Sequence, residues 1–300
     1  MATFTTVGLG ELLWDVLPES RQLGGAPANF AYMTGLLGDE GIVASRTGAD
    51  KLGAEARLRL EGMGLPTLWI QLDTTHPTGI AKVDVDAGGQ PTFELAAPAA
   101  WDFFEWTPDW QVLAQKADAV CFGSLAQRSP QSRATIHAFL QAIRPGTVRV
   151  FDINLRQRFY TAQLLADSAK MADIIKLNHD ELPVLVQLLG FPFVDEESAA
   201  RWLLNTFHLK LVCITRGAKG SLLVSEYTRD EHPGIPTQVA DTVGSGDAFT
   251  AALVYHYLRR APINRMNQAA NRMGSWVASH TGATPARDEA QLTLIRAAGE

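Results

Sequence analysis

The chain has 300 residues, 46% hydrophobic and 19% charged, which suits one large α/β domain or two ordinary ones and excludes a disordered or collagen-like polymer. Its net charge of -6 leaves no basic excess for nucleic-acid phosphates, although a small anionic ligand needs only a local site. No apolar run approaches the ~18 residues of a membrane span, and the first residues lack the basic and apolar regions of a signal peptide, so neither membrane nor secretion is expected.

In chain order, short β-rich apolar runs alternate with longer helical patterns. A strand at 6–9 precedes a helix at 27–37, a strand at 41–44 and a helix at 53–63. After an interruption come a strand at 119–122, a helix at 130–142, a strand at 148–153, a helix at 162–171 and a strand at 174–177. Helices at 180–189 and 196–207 lead to strands at 211–215 and 221–224, and helices at 247–259, 263–280 and 288–298 close the chain. Such alternation predicts a mostly parallel sheet with helices on both faces. The interruption reads strand (78–86), Gly-rich turn (87–90), strand (91–96), a hairpin that serves either as an inserted flap or as a plain sheet edge. No repeat, linker or composition shift appears, so one domain over 1–300 with a small lid is expected. Cys121 and Cys213 sit in apolar runs without C-x-x-C spacing and read as buried strand thiols in a reducing cytoplasm.

The most informative stretch is DTVGSGDAF, 241–249. Two glycines flank a small serine, and a helical pattern starts at Asp247. Glycine permits φ > 0 and close ligand approach. The first amides of a helix have no internal partners and carry positive partial charge. Gly244, Ser245 and Gly246 are therefore candidates to cradle a phosphoryl group. Asp247 is either a helix cap or the base that takes a proton from an attacking hydroxyl. No Walker A loop exists, and the Gly8 and Gly10 pair lacks the third glycine of a dinucleotide fingerprint, Leu13 standing there.

The segment 241–247 resembles the C-terminal signature of the ribokinase-like (PfkB) carbohydrate kinases, with Ser245 in place of the usual alanine. GGAPAN at 24–29 resembles the N-terminal signature in its fructokinase form, and GELLWD at 10–15 resembles the fructokinase opening. DINLR at 152–156 is similar to a D-x-N-x-R segment, whose alternation directs Asp152, Asn154 and Arg156 to one face. NHDE at 178–181 is similar to the N-x-x-E motif, and TRGAKG at 215–220 to a T-x-G-x-x-G loop. The matches run in order from about residue 6 to about residue 285.

The resemblance implies a ribokinase-like three-layer α/β sandwich with a small β-strand lid, formed by inserted strands at about 11–18 and 77–98. It implies ATP-dependent phosphorylation of a sugar primary hydroxyl, fructose first, with ribose, 2-keto-3-deoxygluconate or a nucleoside as alternatives and a non-catalytic binding protein as another. By resemblance Asp247 is the base, Gly244–Gly246 form the anion hole, and Arg156 contacts the sugar or the transferring phosphate. Asp15, Gly25 and Asn29 contact the sugar. Asn178, Thr215, Gly217, Gly220, Gly244, Gly246 and Asn271 face ATP, and Glu181 reaches Mg2+ through water. A monovalent cation near Asp241 and Val243 is left open. A cytoplasmic homodimer with a small-molecule sugar substrate, and with neither nucleic acid nor membrane as partner, completes the expectation.

Overall fold

Strands that are apolar at every position, as at 119–122, suit a sheet covered on both faces. The computed structural model describes residues 2–16, 20–85 and 91–298. Its first half contains β1 (Thr5–Leu9), β2 (Leu13–Val16), β3 (Arg21–Gly24), α1 (Ala26–Leu37), β4 (Glu40–Gly48), α2 (Lys51–Gly62), β5 (Ile70–Asp73), β6 (Gly79–Val85) and β7 (Pro91–Leu95). Then follow α3 (Pro108–Lys116), β8 (Ala119–Phe122), α4 (Pro130–Ala142), β9 (Val148–Asp152), α5 (Ala162–Met171), β10 (Ile174–Asn178), α6 (Glu181–Leu188) and α7 (Glu196–Phe207). The last part holds β11 (Leu211–Thr215), β12 (Ser221–Val224), β13 (Arg229–His232), α8 (Ser245–Leu258), α9 (Ile263–Ala278) and α10 (Glu289–Ala297).

Among the described residues, nine strands form the central sheet in the order β13-β12-β11-β10-β9-β8-β1-β4-β5. Neighbours from β11 to β5 pair in parallel, and β12 and β13 add an antiparallel edge. Side chains alternate between two cores, as the period of two requires. Val120, Phe122, Phe151, Ile175 and Leu177 enter the core under α3–α7, whereas Ala119, Cys121, Val150, Ile174 and Cys213 enter the core under α1, α2 and α8–α10. The fold is thus a three-layer α/β sandwich. Both cysteines are free and buried, and Asp50, Thr107, Thr161, Asp195 and Asp288 cap their helices through side-chain oxygens.

A second sheet, ordered β3-β2-β6-β7, takes strands from the segments 11–18 and 77–98. β2 pairs antiparallel with β3 and parallel with β6, and β6 pairs antiparallel with β7. The Gly-rich turn expected at 87–90 lies outside the described residues.

Three strands and one helix have no counterpart in the sequence reading. All three strands lie at sheet edges: β3 and β13 are largely polar, and β5 is only four residues long with Leu72 turned to solvent. α3 is short, and only Trp110, Leu113 and Ala114 mark its buried side. α8 begins at Ser245 rather than Asp247, so the glycine turn itself forms the helix start.

Candidate active site

The carboxyl ends of β1, β8, β9 and β10 open toward the starts of α1 and α8, the usual place for a ligand in an open parallel sheet. Gly244 takes φ 76 at the α8 N-terminus, and a Cβ there would overlap Ala283. Glycine is required on both counts. The amides of Gly244 and Gly246 donate to nothing among the described residues, whereas Ser245 N already donates to Thr242 O at 3.2 Å. The expected three-amide cradle is therefore narrower, because the turn closes on itself through Ser245.

Asp247 follows in the first turn of α8 and is 9% exposed. Asn29 Nδ2, from the first turn of α1, donates to Asp247 Oδ2 at 2.8 Å across a sequence separation of 218. The two signatures thus meet at one hydrogen bond. Burial first, then the charge of Asp152, pushes the Asp247 pKa up to about 6, against the opposing pull of Lys176, Asn29 and Arg156. Gly25, at φ 112 before α1, lies so close to the Glu11 carbonyl that a Cβ would overlap it.

Beneath the turn lies a pair absent from the sequence expectation. Lys176 and Asp152 are paired residues of adjacent parallel strands, and Lys176 Nζ is 3.1 Å from Asp152 Oδ1. Thr250 Oγ1 donates to the other oxygen at 2.8 Å. A Cβ on Gly246 would stand 3.0 Å from Lys176 Nζ, so the glycine lets the turn rest on the buried cation. Burial opposes the charge of Lys176, but Asp152, Asp247 and Glu181 more than offset it and hold the ammonium above its ordinary range. A lysine in an otherwise apolar strand was the available signal.

On the small sheet, Asp15 pairs with Gln22 and Ala81. Its carboxylate lies against Gly24, where any Cβ would overlap Oδ2. Burial raises its pKa to about 6, partly opposed by Arg156. Arg156 is exposed and makes no ion pair among the described residues. Asn154 has φ 47, which ends the strand alternation at Asp152. The three polar residues of 152–156 therefore do not share a strand face; even so, all three line one cavity with Glu11, Pro27 and Asp247.

The residues assigned to the nucleotide form a second group. Asn178 Oδ1 accepts from the amides of Asp180 and Glu181 at 2.9 and 2.8 Å. Glu181 accepts from Leu155 N and Asn178 N, each at 2.8 Å. This reciprocal capping ties the β10–α6 turn to the 152–156 loop. Each Glu181 oxygen keeps a lone pair, which fits a water-mediated contact to a cation carried by phosphates. Among the described residues no cluster of three acidic, histidine or cysteine side chains is placed to hold a metal alone.

Thr215 ends β11, and its carbonyl accepts from His179 N at 2.9 Å. Gly217 and Gly220 take φ 56 and 80 in the turn that follows. Asn271 is 6% exposed, and its Nδ2 donates to Ser221 Oγ at 2.7 Å and to Asn267. Its amide nitrogen thus holds α9 against β12 and is not turned to a ligand. Asp241 accepts from Val243 N and Gly282 N, each at 3.0 Å, joining the loop before α8 to the loop after α9.

The model of the pfkB family of carbohydrate kinases matches residues 12–290. A sugar kinase of Pyrococcus horikoshii is 30% identical over 290 residues, 92% of this chain and 88% of that one. The crystal structure of an uncharacterized sugar kinase from that organism in complex with ATP covers 97% of this chain and 99% of its own, with a TM-score of 0.82 at 26% identity. A fructokinase of Salmonella typhimurium is 31% identical over 258 residues, 82% of each chain. The fructokinase of Vibrio cholerae O395, in its fructose-, ADP- and calcium-bound form, matches with a TM-score of 0.81 at 25% identity over 98% of both chains.

Proposed function

The chain belongs to the pfkB family of carbohydrate kinases and is an ATP-dependent sugar kinase, and from that premise we propose that it phosphorylates a primary hydroxyl of fructose with Asp247 as the base. The observation that carries this reading is the buried Asn29–Asp247 hydrogen bond of 2.8 Å. It fixes one carboxylate oxygen and leaves the other to accept a proton. A pKa near 6 suits a base at neutral pH, since it is deprotonated yet more basic than an ordinary aspartate.

Fructose lies between the central sheet and the small sheet, held by Asp15, Gly25 and Asn29. The small sheet acts as the lid that excludes water, which would otherwise compete for the phosphoryl group. The γ-phosphate faces the Gly244–Gly246 turn, and the sugar oxygen attacks phosphorus in line as its proton passes to Asp247. Charge developing on the equatorial oxygens meets the free amides of Gly244 and Gly246, the positive end of α8 and Arg156. Lys176 adds a buried positive charge directly below that turn. ATP phosphates and ribose run along 215–220, on the side of Asn178 and Glu181. Glu181 would reach a divalent cation such as magnesium through water, and that cation would supply neutralisation of the phosphate charge.

The test is Asp247→Asn, which keeps the acceptor for Asn29 and removes the base. Fructose and ATP binding should persist while kcat falls by roughly two to four orders of magnitude. Turnover close to that of the unmodified enzyme would remove Asp247 from the role.

A further inference from the structure

Glu11 lies between β1 and β2 and is 5% exposed. The backbone of Glu11 itself and of Ala26, the first residue of α1, favours the charged form of its carboxylate. Its Oε2 is buried and has no hydrogen-bond partner among the described residues. An unsatisfied buried acceptor is costly, more so when charged. Of the buried polar side-chain atoms left without a partner among the described residues, this one alone belongs to a residue lining the cavity that holds Asp247, Asn154 and Arg156.

We propose that Glu11 Oε2 contacts a hydroxyl of the sugar and makes the cavity select an uncharged polyol over a sugar acid. The proposal rests on the reading that the sugar occupies this cavity. Burial raises the Glu11 pKa to about 7, with Arg156 opposing and Asp247 adding to the rise, so both protonation states are populated near neutrality. A hydroxyl serves either state, because it donates to a carboxylate and accepts from a carboxyl. The charges around the cavity point the same way. Lys176 is committed to Asp152, which leaves Arg156 facing the carboxylates of Glu11 and Asp247. A substrate carboxylate would add a like charge in a site where two acidic groups already titrate high.

Fructose and ATP KM values and melting temperature in the unmodified enzyme and in Glu11→Gln test this. The variant keeps a neutral amide that can still bond a hydroxyl, so it should raise the fructose KM roughly 5- to 10-fold, the difference between a hydrogen bond to a charged group and one to a neutral group. The ATP KM and melting temperature should stay close to the original. Inhibition by monodeoxyfructoses adds a readout that a merely structural role would not move. The analogue lacking the Glu11-bonded hydroxyl should be discriminated against more strongly in the unmodified enzyme than in the variant. Inhibition by 2-keto-3-deoxygluconate should strengthen relative to fructose in Glu11→Gln.

An unchanged fructose KM overturns the proposal, and so does a joint rise of both KM values with loss of melting temperature. An unmodified enzyme that phosphorylates no sugar would instead sink the functional reading itself. If Glu11→Gln does not fold, a crystal of the unmodified enzyme with fructose decides. A sugar hydroxyl should lie within about 3.2 Å of Glu11 Oε2, and an Oε2 touching no sugar atom would refute the contact.

Discussion

Replacing Lys176 by methionine removes the cation that sits under the Gly244–Gly246 turn and leaves Asp152 buried. Breaking a buried pair by deleting one partner typically costs about 3–5 kcal/mol, because an uncompensated charge remains. Asp152 keeps its 2.8 Å bond from Thr250, which favours the low end of that range. At roughly 2–4 °C per kcal/mol for domains somewhat smaller than this chain, about 3 kcal/mol lowers the melting temperature by about 6–12 °C. Adding Asp152→Asn removes the stranded charge and keeps an acceptor for Thr250, so the double variant should melt well above Lys176→Met alone. Catalysis should respond separately. Lys176 pulls the Asp247 pKa down, so its loss should move the acid limb of the pH–rate profile upward. Differential scanning calorimetry and a coupled ADP-release assay read the two effects. A single variant that melts within 1–2 °C of the original, or a double variant no better than the single, would refute the reasoning, since the predicted shift is roughly 6–12 °C.

Three further outcomes follow from the same geometry. As the proposed base, Asp247 must be deprotonated, and burial lifts its pKa to about 6, so kcat/KM should fall as pH drops through about 6. The limb should be steeper than one proton, because Asp15 titrates in the same range; a limb near an ordinary aspartate value of about 4 would contradict the burial account. Gly244→Ala forces a side chain into φ 76 and against Ala283, and should lower stability by roughly 2 kcal/mol or more in urea unfolding. Ser245→Ala removes only a hydroxyl bond to Thr242 O at 2.8 Å and should change stability by less than about 1 kcal/mol; a large loss would mean that the hydroxyl shapes the turn.

The parallel sheet was legible because its inner strands carry short apolar runs, unbroken in β8, and the sandwich follows from the regular helices between them. The edge strands were not, since Arg21–Gly24 and Arg229–His232 bury little and carry no apolar period. At the site, the glycine turn and Asp247 were readable from local backbone demands. The meeting of Asn29 with Asp247 is a tertiary fact that spacing cannot give. The alternation rule misled at Asn154, where a left-handed residue turns the chain after Asp152. Lys176 and Asp152 lie 24 residues apart, and only the register of β9 against β10 pairs them. Glu11 carried no signal of its own, because its importance lies in an oxygen that the fold buries and leaves unpartnered.

The central claim is phosphoryl transfer to a sugar by Asp247, and one measurement addresses it most directly. Purified enzyme, with Asp247→Asn beside it, is incubated with ATP, magnesium and fructose, and phosphorylated product is followed by mass spectrometry. The account predicts stoichiometric fructose phosphate and ADP from the unmodified enzyme, and at most about a hundredth of that rate from the variant. ADP release without sugar phosphate, or equal product from both proteins, would contradict it.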